Sequence, residues 1–177
     1  SHAFLVMVAA ELGADLADAE RILGRKPKRA QLEPLTWTLG LVSKAISARE
    51  FSTALRVQER IARDIGRFFT DYDMLLTPTL STPPPKIGEL APSSAEQTQL
   101  KILGRFGSGQ LIKKLGLLDE MADGAFEFTP WAPIYNVTGQ PAMSVPLCTS
   151  ESGLPIGVHF AERFGDEASL LRLAGQL

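Results

Sequence analysis

The chain has 177 residues, 45% of them hydrophobic and 21% charged, a balance that excludes disorder and allows one domain with a sizeable core. Eighteen Lys and Arg against 20 Asp and Glu leave a net charge of −2, and no gathered basic stripe marks nucleic acid as a partner. The apolar run from Phe4 to Ala10 is far short of the ~20 residues that cross a bilayer, so no membrane partner is expected.

In chain order, Leu5, Val8, Leu12, Leu16, Ala19 and Leu23 recur at helical spacing, and Gly24 and Pro27 close that helix. A second periodic segment runs from Pro34 to Ile46 and carries Leu35, Leu39 and Val42. Ser47 with Glu50 forms a capping box that opens a third, longest helix, whose buried face includes Phe51, Ile61, Ile65, Phe68 and Phe69. Met74-Leu75-Leu76 reads as a buried parallel strand stopped by Thr77-Pro78, and residues 78–92, with Pro83-Pro84-Pro85 among them, read as an extended surface loop.

Ser94-Ala95-Glu96-Gln97 reads as a second capping box, followed by helical pieces that Gly104, Gly107, Gly109 and Gly116 interrupt. Met143 to Leu147 and Ile156 to Phe160 form a hairpin around a turn at Thr149 to Gly153, and Asp166 caps a last helix. The expectation is one domain over 1–177: helical over 1–70, strand and proline loop over 73–92, helical over 94–121, hairpin and final helix over 142–177.

Nucleophile signatures are absent: there is no G-x-S-x-G elbow and no S-x-x-K, and Phe106-Gly107-Ser108-Gly109 reads as a bend. His2 and His159 have no partner at metal-ligand spacing, so neither a metal nor a cofactor is expected. His159, inside an apolar strand, reads as a hydrogen-bonded structural residue with a lesser claim as a general base or substrate contact. The lone Cys148 has no recognisable base and reads as buried and inert, which suits a reducing, cytoplasmic location. Asp119, Glu120 and Asp123 read as a solvated helix end, and Asn136-Val137-Thr138 as a chance glycosylation pattern with no secretory signal to support it.

Three stretches together resemble the C-terminal half of amidase-signature enzymes. They are Tyr72 to Thr79 with Pro83 to Gly88; Asn136-Val137-Thr138-Gly139-Gln140-Pro141-Ala142-Met143-Ser144-Val145-Pro146-Leu147; and Gly153 to Phe160 with Gly165 to Ala174. The resemblance is strong from about residue 45 onward; Gly157-Val158-His159-Phe160 departs from the family's commoner glutamine-containing strand and, together with Gln140-Pro141-Ala142-Met143, resembles the 6-aminohexanoate cyclic-dimer hydrolases.

The resemblance implies an α/β fold, the C-terminal part of a mixed-sheet domain with helices packed on the sheet. It also implies amide hydrolysis through a serine–serine–lysine triad and an acyl-enzyme. The lysine segment and glycine–serine-rich segment that carry the triad are not in this sequence, so catalytic residues here number none and the chain alone is expected to be inactive. Phe126, Phe128, Trp131, Tyr135 and Asn136 supply aromatic area and an amide ahead of the hairpin, and Trp131 and Asn136 are the expected substrate contacts. The expected partners are a small-molecule amide and, through exposed core surface, a second copy. A noncatalytic binding remnant and a subunit of a transfer-RNA-dependent amidotransferase are the alternatives.

Overall fold

In the computed structural model, which describes residues 2–106 and 108–177, the chain is helix-rich with one small antiparallel sheet. The helices are α1 (His2–Leu23), α2 (Pro34–Ser43), α3 (Ala48–Asp71), α4 (Ser94–Phe106), α5 (Gly109–Lys114), α6 (Leu117–Phe128), α7 (Ala132–Thr138) and α8 (Glu167–Ala174). The strands are β1 (Met74–Pro78), β2 (Ala142–Thr149) and β3 (Pro155–Glu162), in the order β1-β3-β2.

The chain divides into two compact units. The first comprises residues 1–55 and 90–122, and the second residues 56–89 and 123–177. The first is helical, and its centre is Ala9 from α1, Val42 from α2 and Ile112 from α5, with Leu5, Leu39 and Leu103 packed around them. Polar groups inside it find local partners. Thr38 Oγ1 donates to the Pro34 carbonyl at 2.7 Å, and the Trp37 indole N–H donates to the Gly104 carbonyl at 2.7 Å, tying α2 to α4.

The predicted capping box at the head of α3 is present: the Ser47 amide donates to a Glu50 carboxylate oxygen at 2.8 Å, and the Glu50 amide donates to Ser47 Oγ at 3.2 Å. Lys113 adds a tertiary clasp, its ammonium donating to Glu50 and to the Ala45 carbonyl. These contacts hold the Glu50 carboxyl down at about 2, the Lys113 hydrogen bond first and the Ser47 amide next.

The second capping box lies one residue earlier than the sequence reading placed it. Ser93, not Ser94, exchanges hydrogen bonds with Glu96, so Ser94 becomes the first helical residue. Gly104 stays within α4. Gly107 and the side chain of Glu120 lie outside the described residues, and Ser108 is the N-cap of α5, accepting from the Leu111 amide at 3.3 Å. Arg56, Arg60, Arg63 and Arg67 lie on the solvent side of α3. Glu59 pairs with Arg63 and Asp64 with Arg67, so that face alternates in sign.

The second unit is built on the sheet. The reading of β1 as a parallel strand is corrected: β1 pairs antiparallel with β3, Met74 opposite Glu162 and Pro78 opposite Val158. A three-residue apolar run fits either direction, because burial demands apolar side chains whichever way the partner runs. The predicted hairpin forms, with β2 antiparallel to β3 and an irregularity between Pro146 and Cys148. Cys148 is exposed rather than buried, because the strand end that carries it projects from the covered part of the sheet.

Side chains alternate across β3. His159 and Ala161 face one way, and Phe160 and Glu162 face the other. On the first face Ala161 meets Phe69 from α3 and Tyr135 from α7, with Ile65, Phe68, Leu75 and Ile134 around them. Gly139 ends α7 with a φ of 80°, a left-handed conformation that lets the chain turn into β2 at little cost. The last helix is capped as predicted, Asp166 accepting from the Ser169 amide at 3.3 Å, and it packs on β3 and β2.

Candidate functional site

The second unit contains an apolar groove of about 340 Å³. Ile61, Ile65 and Phe68 recur at three- and four-residue intervals along α3, which places them on one helical face as its first wall. Leu75 of β1 contributes to the base, and Trp131, Ile134 and Tyr135 form the opposite wall. Asp64 is the carboxylate among the lining residues, and it pairs with Arg67 at 3.4 Å. The groove therefore offers aromatic and aliphatic contact with little fixed charge, chemistry suited to an uncharged organic group.

Trp131 lies at the N-terminal boundary of α7 and is 41% exposed, so its indole is presented to the groove rather than sealed into a core. Asn136 is exposed on the same helix but is not among the groove's lining residues. Phe126 and Phe128 close α6, and the Phe128 carbonyl accepts from the Ser81 amide at 3.1 Å, which ties that end to the segment after β1. The Gln58 side chain donates to the Val137 carbonyl and so fixes α7 against α3.

Behind the groove wall lies a row of polar side chains that sequence reading did not bring together. Thr77 on β1 and Ser144 on β2 are the register partners of His159 on either side of it. Thr77 and His159 are 6% and 7% exposed, yet Thr77 Oγ1 and His159 Nδ1 have no hydrogen-bond partner among the described residues. The expectation of a hydrogen-bonded structural histidine is thus corrected at Nδ1. Burial holds the imidazole below its ordinary value of 6.5.

Next to that row, Thr79 Oγ1 and Ser144 Oγ meet at 2.6 Å across Gly157. A Cβ at Gly157 would stand 2.4 Å from Ser144 Oγ and 2.6 Å from Thr79 Oγ1, so the hydroxyl bridge depends on the missing side chain. The ring of Tyr135 stands edge-on to His159 with centroids 5.2 Å apart, which links the groove wall to the polar row. A cue was available in the sequence only as two separate residues, one aromatic and one titratable.

A smaller hollow of about 240 Å³ lies in the helical unit between Leu16, Trp37 and Leu41, with Lys26 and Lys44 among its lining residues. Among the described residues it gathers no buried unpaired polar atom, so the groove of the sheet unit is the stronger candidate. Among the described residues no three His, Cys, Asp or Glu side chains are placed to hold a metal ion, and no helix is long and apolar enough to cross a membrane.

Comparison with known proteins agrees with this architecture. The chain is 34% identical over 150 residues to the amidase-named AmiC of Mycobacterium leprae, covering 84% of this chain and 27% of that protein. It is 30% identical over 162 residues to a lipoamidase of Enterococcus faecalis, covering 90% of this chain and 22% of that one. With the 6-aminohexanoate-cyclic-dimer hydrolase of Paenarthrobacter ureafaciens it shares 27% identity over 157 residues, or 88% of this chain and 29% of the hydrolase. The chain therefore spans less than a third of the length of each of these relatives.

In three dimensions it superposes on a solved structure of 6-aminohexanoate cyclic dimer hydrolase with a TM-score of 0.72 at 22% identity, covering 99% of this chain and 34% of that chain, a likeness of fold. The sequence pattern of the Amidase family matches residues 2–171, and the chain belongs to that family.

Proposed function

We propose that this chain is the C-terminal portion of an amide hydrolase that cleaves linear or cyclic carboxylic amides, and that its sheet unit supplies one wall of the substrate cleft. The observation that supports the reading most is the apolar groove bearing Trp131, in a chain that matches the Amidase family over nearly its whole length. An uncharged acyl or amine chain desolvates readily against Trp131, Phe68 and Ile61, leaving the reacting amide to be held by groups outside this chain. Asn136, exposed on α7, is the second proposed contact, an amide side chain able both to donate to and accept from a substrate amide.

The chemistry in this proposal belongs to a serine–serine–lysine triad upstream of the present sequence. The lysine acts through one serine to make the other nucleophilic, the nucleophile attacks the amide carbonyl, the amine leaves, and water hydrolyses the acyl-enzyme. No residue of this chain takes a catalytic role, no cofactor or metal is required, and the chain alone is inactive. Its proposed partners are the small-molecule amide and a second copy, because Leu76 on β1 and Phe164 remain exposed at 62% and 75%. The proposed location is the cytoplasm.

The test is mass spectrometry of the full-length parent mixed with hexanamide and quenched rapidly. The expected result is a transient mass increase of one hexanoyl group on a serine outside this chain, with none on this chain expressed alone. Turnover of hexanamide by the isolated chain, or an acyl group on Cys148, would contradict the proposal.

A further inference from the structure

The histidine behind the groove is placed to do more than fill space. His159 lies in the central strand of the sheet, its Nδ1 buried without a partner, between Thr77 and Ser144 on the neighbouring strands. Directly opposed positions in an antiparallel pair bring Cβ atoms to about 4.5–5.5 Å, so the unpartnered Thr77 hydroxyl lies within a side-chain adjustment of the imidazole. The imidazole also meets the Tyr135 ring edge-on, and Tyr135 is itself a wall of the groove.

Among the described residues no charged group is paired with His159. The titratable groups of the groove are the Tyr135 phenol from α7, which burial raises, and Asp64 from α3, already paired with Arg67. Thr77 and Ser144 are neutral, and Glu162 of β3 has the opposite side-chain parity and pairs with Arg163. Neutral imidazole is therefore the stable form here, and of the two facing hydroxyls Ser144 is already bonded to Thr79, which leaves the unpartnered Thr77 oxygen to accept a proton carried on Nδ1.

We propose that His159 is a positioning residue for the groove: neutral, its ring holds Tyr135 in the groove wall, and protonated, it turns toward Thr77 and changes that hold. This rests on the reading that the groove contacts substrate, and it adds a pH dependence to substrate binding that comes from this chain rather than from the triad. The proton comes from solvent and returns to it, and no bond to substrate forms. Because burial holds His159 below its ordinary 6.5, the neutral form prevails above that value and the change develops as pH falls beneath it.

The experiment uses the full-length parent labelled with ¹³C in histidine and tyrosine rings, with His159→Gln and Tyr135→Phe assigning the two resonances. The expected result is a His159 titration with its midpoint below 6.5, a Tyr135 ring shift with the same midpoint, and a KM for hexanamide that rises over that window in the parent but not in His159→Gln. A Tyr135 signal that ignores the titration, or a KM rise that persists in His159→Gln, overturns the proposal. Should His159→Gln not fold, the Tyr135 titration in the unmodified protein decides alone. If Trp131→Ala leaves KM unchanged while Tyr135 still follows His159, the groove reading fails and the coupling of the two rings stands.

Discussion

The two compact units handle buried polarity in different ways. In the helical unit the inward polar groups described above are answered close at hand: Thr38 by the Pro34 carbonyl and Trp37 by the Gly104 carbonyl. In the sheet unit Thr77 Oγ1 and His159 Nδ1 remain unanswered beside a groove. A helix offers free carbonyls and caps near its ends, whereas the middle of a sheet spends its backbone groups on the ladder and leaves side chains to find one another. Unpaired buried groups cost stability, and proteins keep them mainly at working sites.

Substitutions can break or sharpen this contrast. The largest effect is expected at Ile112, fully buried in the helical core: Ile112→Ala should lower unfolding free energy by about 2–5 kcal/mol in chemical denaturation. Gly157→Ala should cost about 1–3 kcal/mol by forcing Thr79 and Ser144 apart, a loss that Ser144→Ala in the same chain partly reverses. Trp37→Phe keeps the ring but leaves the Gly104 carbonyl without its donor, with an expected loss of about 1 kcal/mol.

Acid separates the units more finely. The Glu50 carboxyl is held at about 2 against 4.5 unfolded, so its contribution is complete above 4.5 and disappears as pH falls toward 2; Glu50→Gln should flatten stability in that window. His159, also depressed in the fold, leaves stability intact above 6.5 and erodes it as pH falls below, so the effect of His159→Gln should set in at a higher pH than that of Glu50→Gln. Unfolding curves from pH 3 to 8 on both variants check the separation. Coincident effects of the two changes would count against it.

Much of this was legible from local chemistry. The apolar spacing along α1 and α3 and the Ser47–Glu50 box identify those helices because helix geometry is written within a few residues. Strand direction is not local: β1 takes its orientation from β3, some eighty residues later, and an apolar triplet carries no sign of it. Helix α7 escaped because it is short, begins beside Pro133 and includes the β-branched Val137 and Thr138. At the groove, Trp131 stood out as an aromatic near a family motif, while Ile61 and Ile65 read only as core residues of α3. The pairing of Tyr135 with His159 belongs to tertiary structure, since neither residue signals the other along the chain.

The account turns on whether the Trp131 groove receives substrate. The most direct measurement is the KM of the full-length parent and its Trp131→Ala variant for acetamide and hexanamide, with unfolding curves on both proteins. If the groove takes the alkyl chain, Trp131→Ala raises the hexanamide KM about tenfold, leaves the acetamide KM near its original value and changes stability little. Equal KM changes for the two amides, or none for either, would contradict the account.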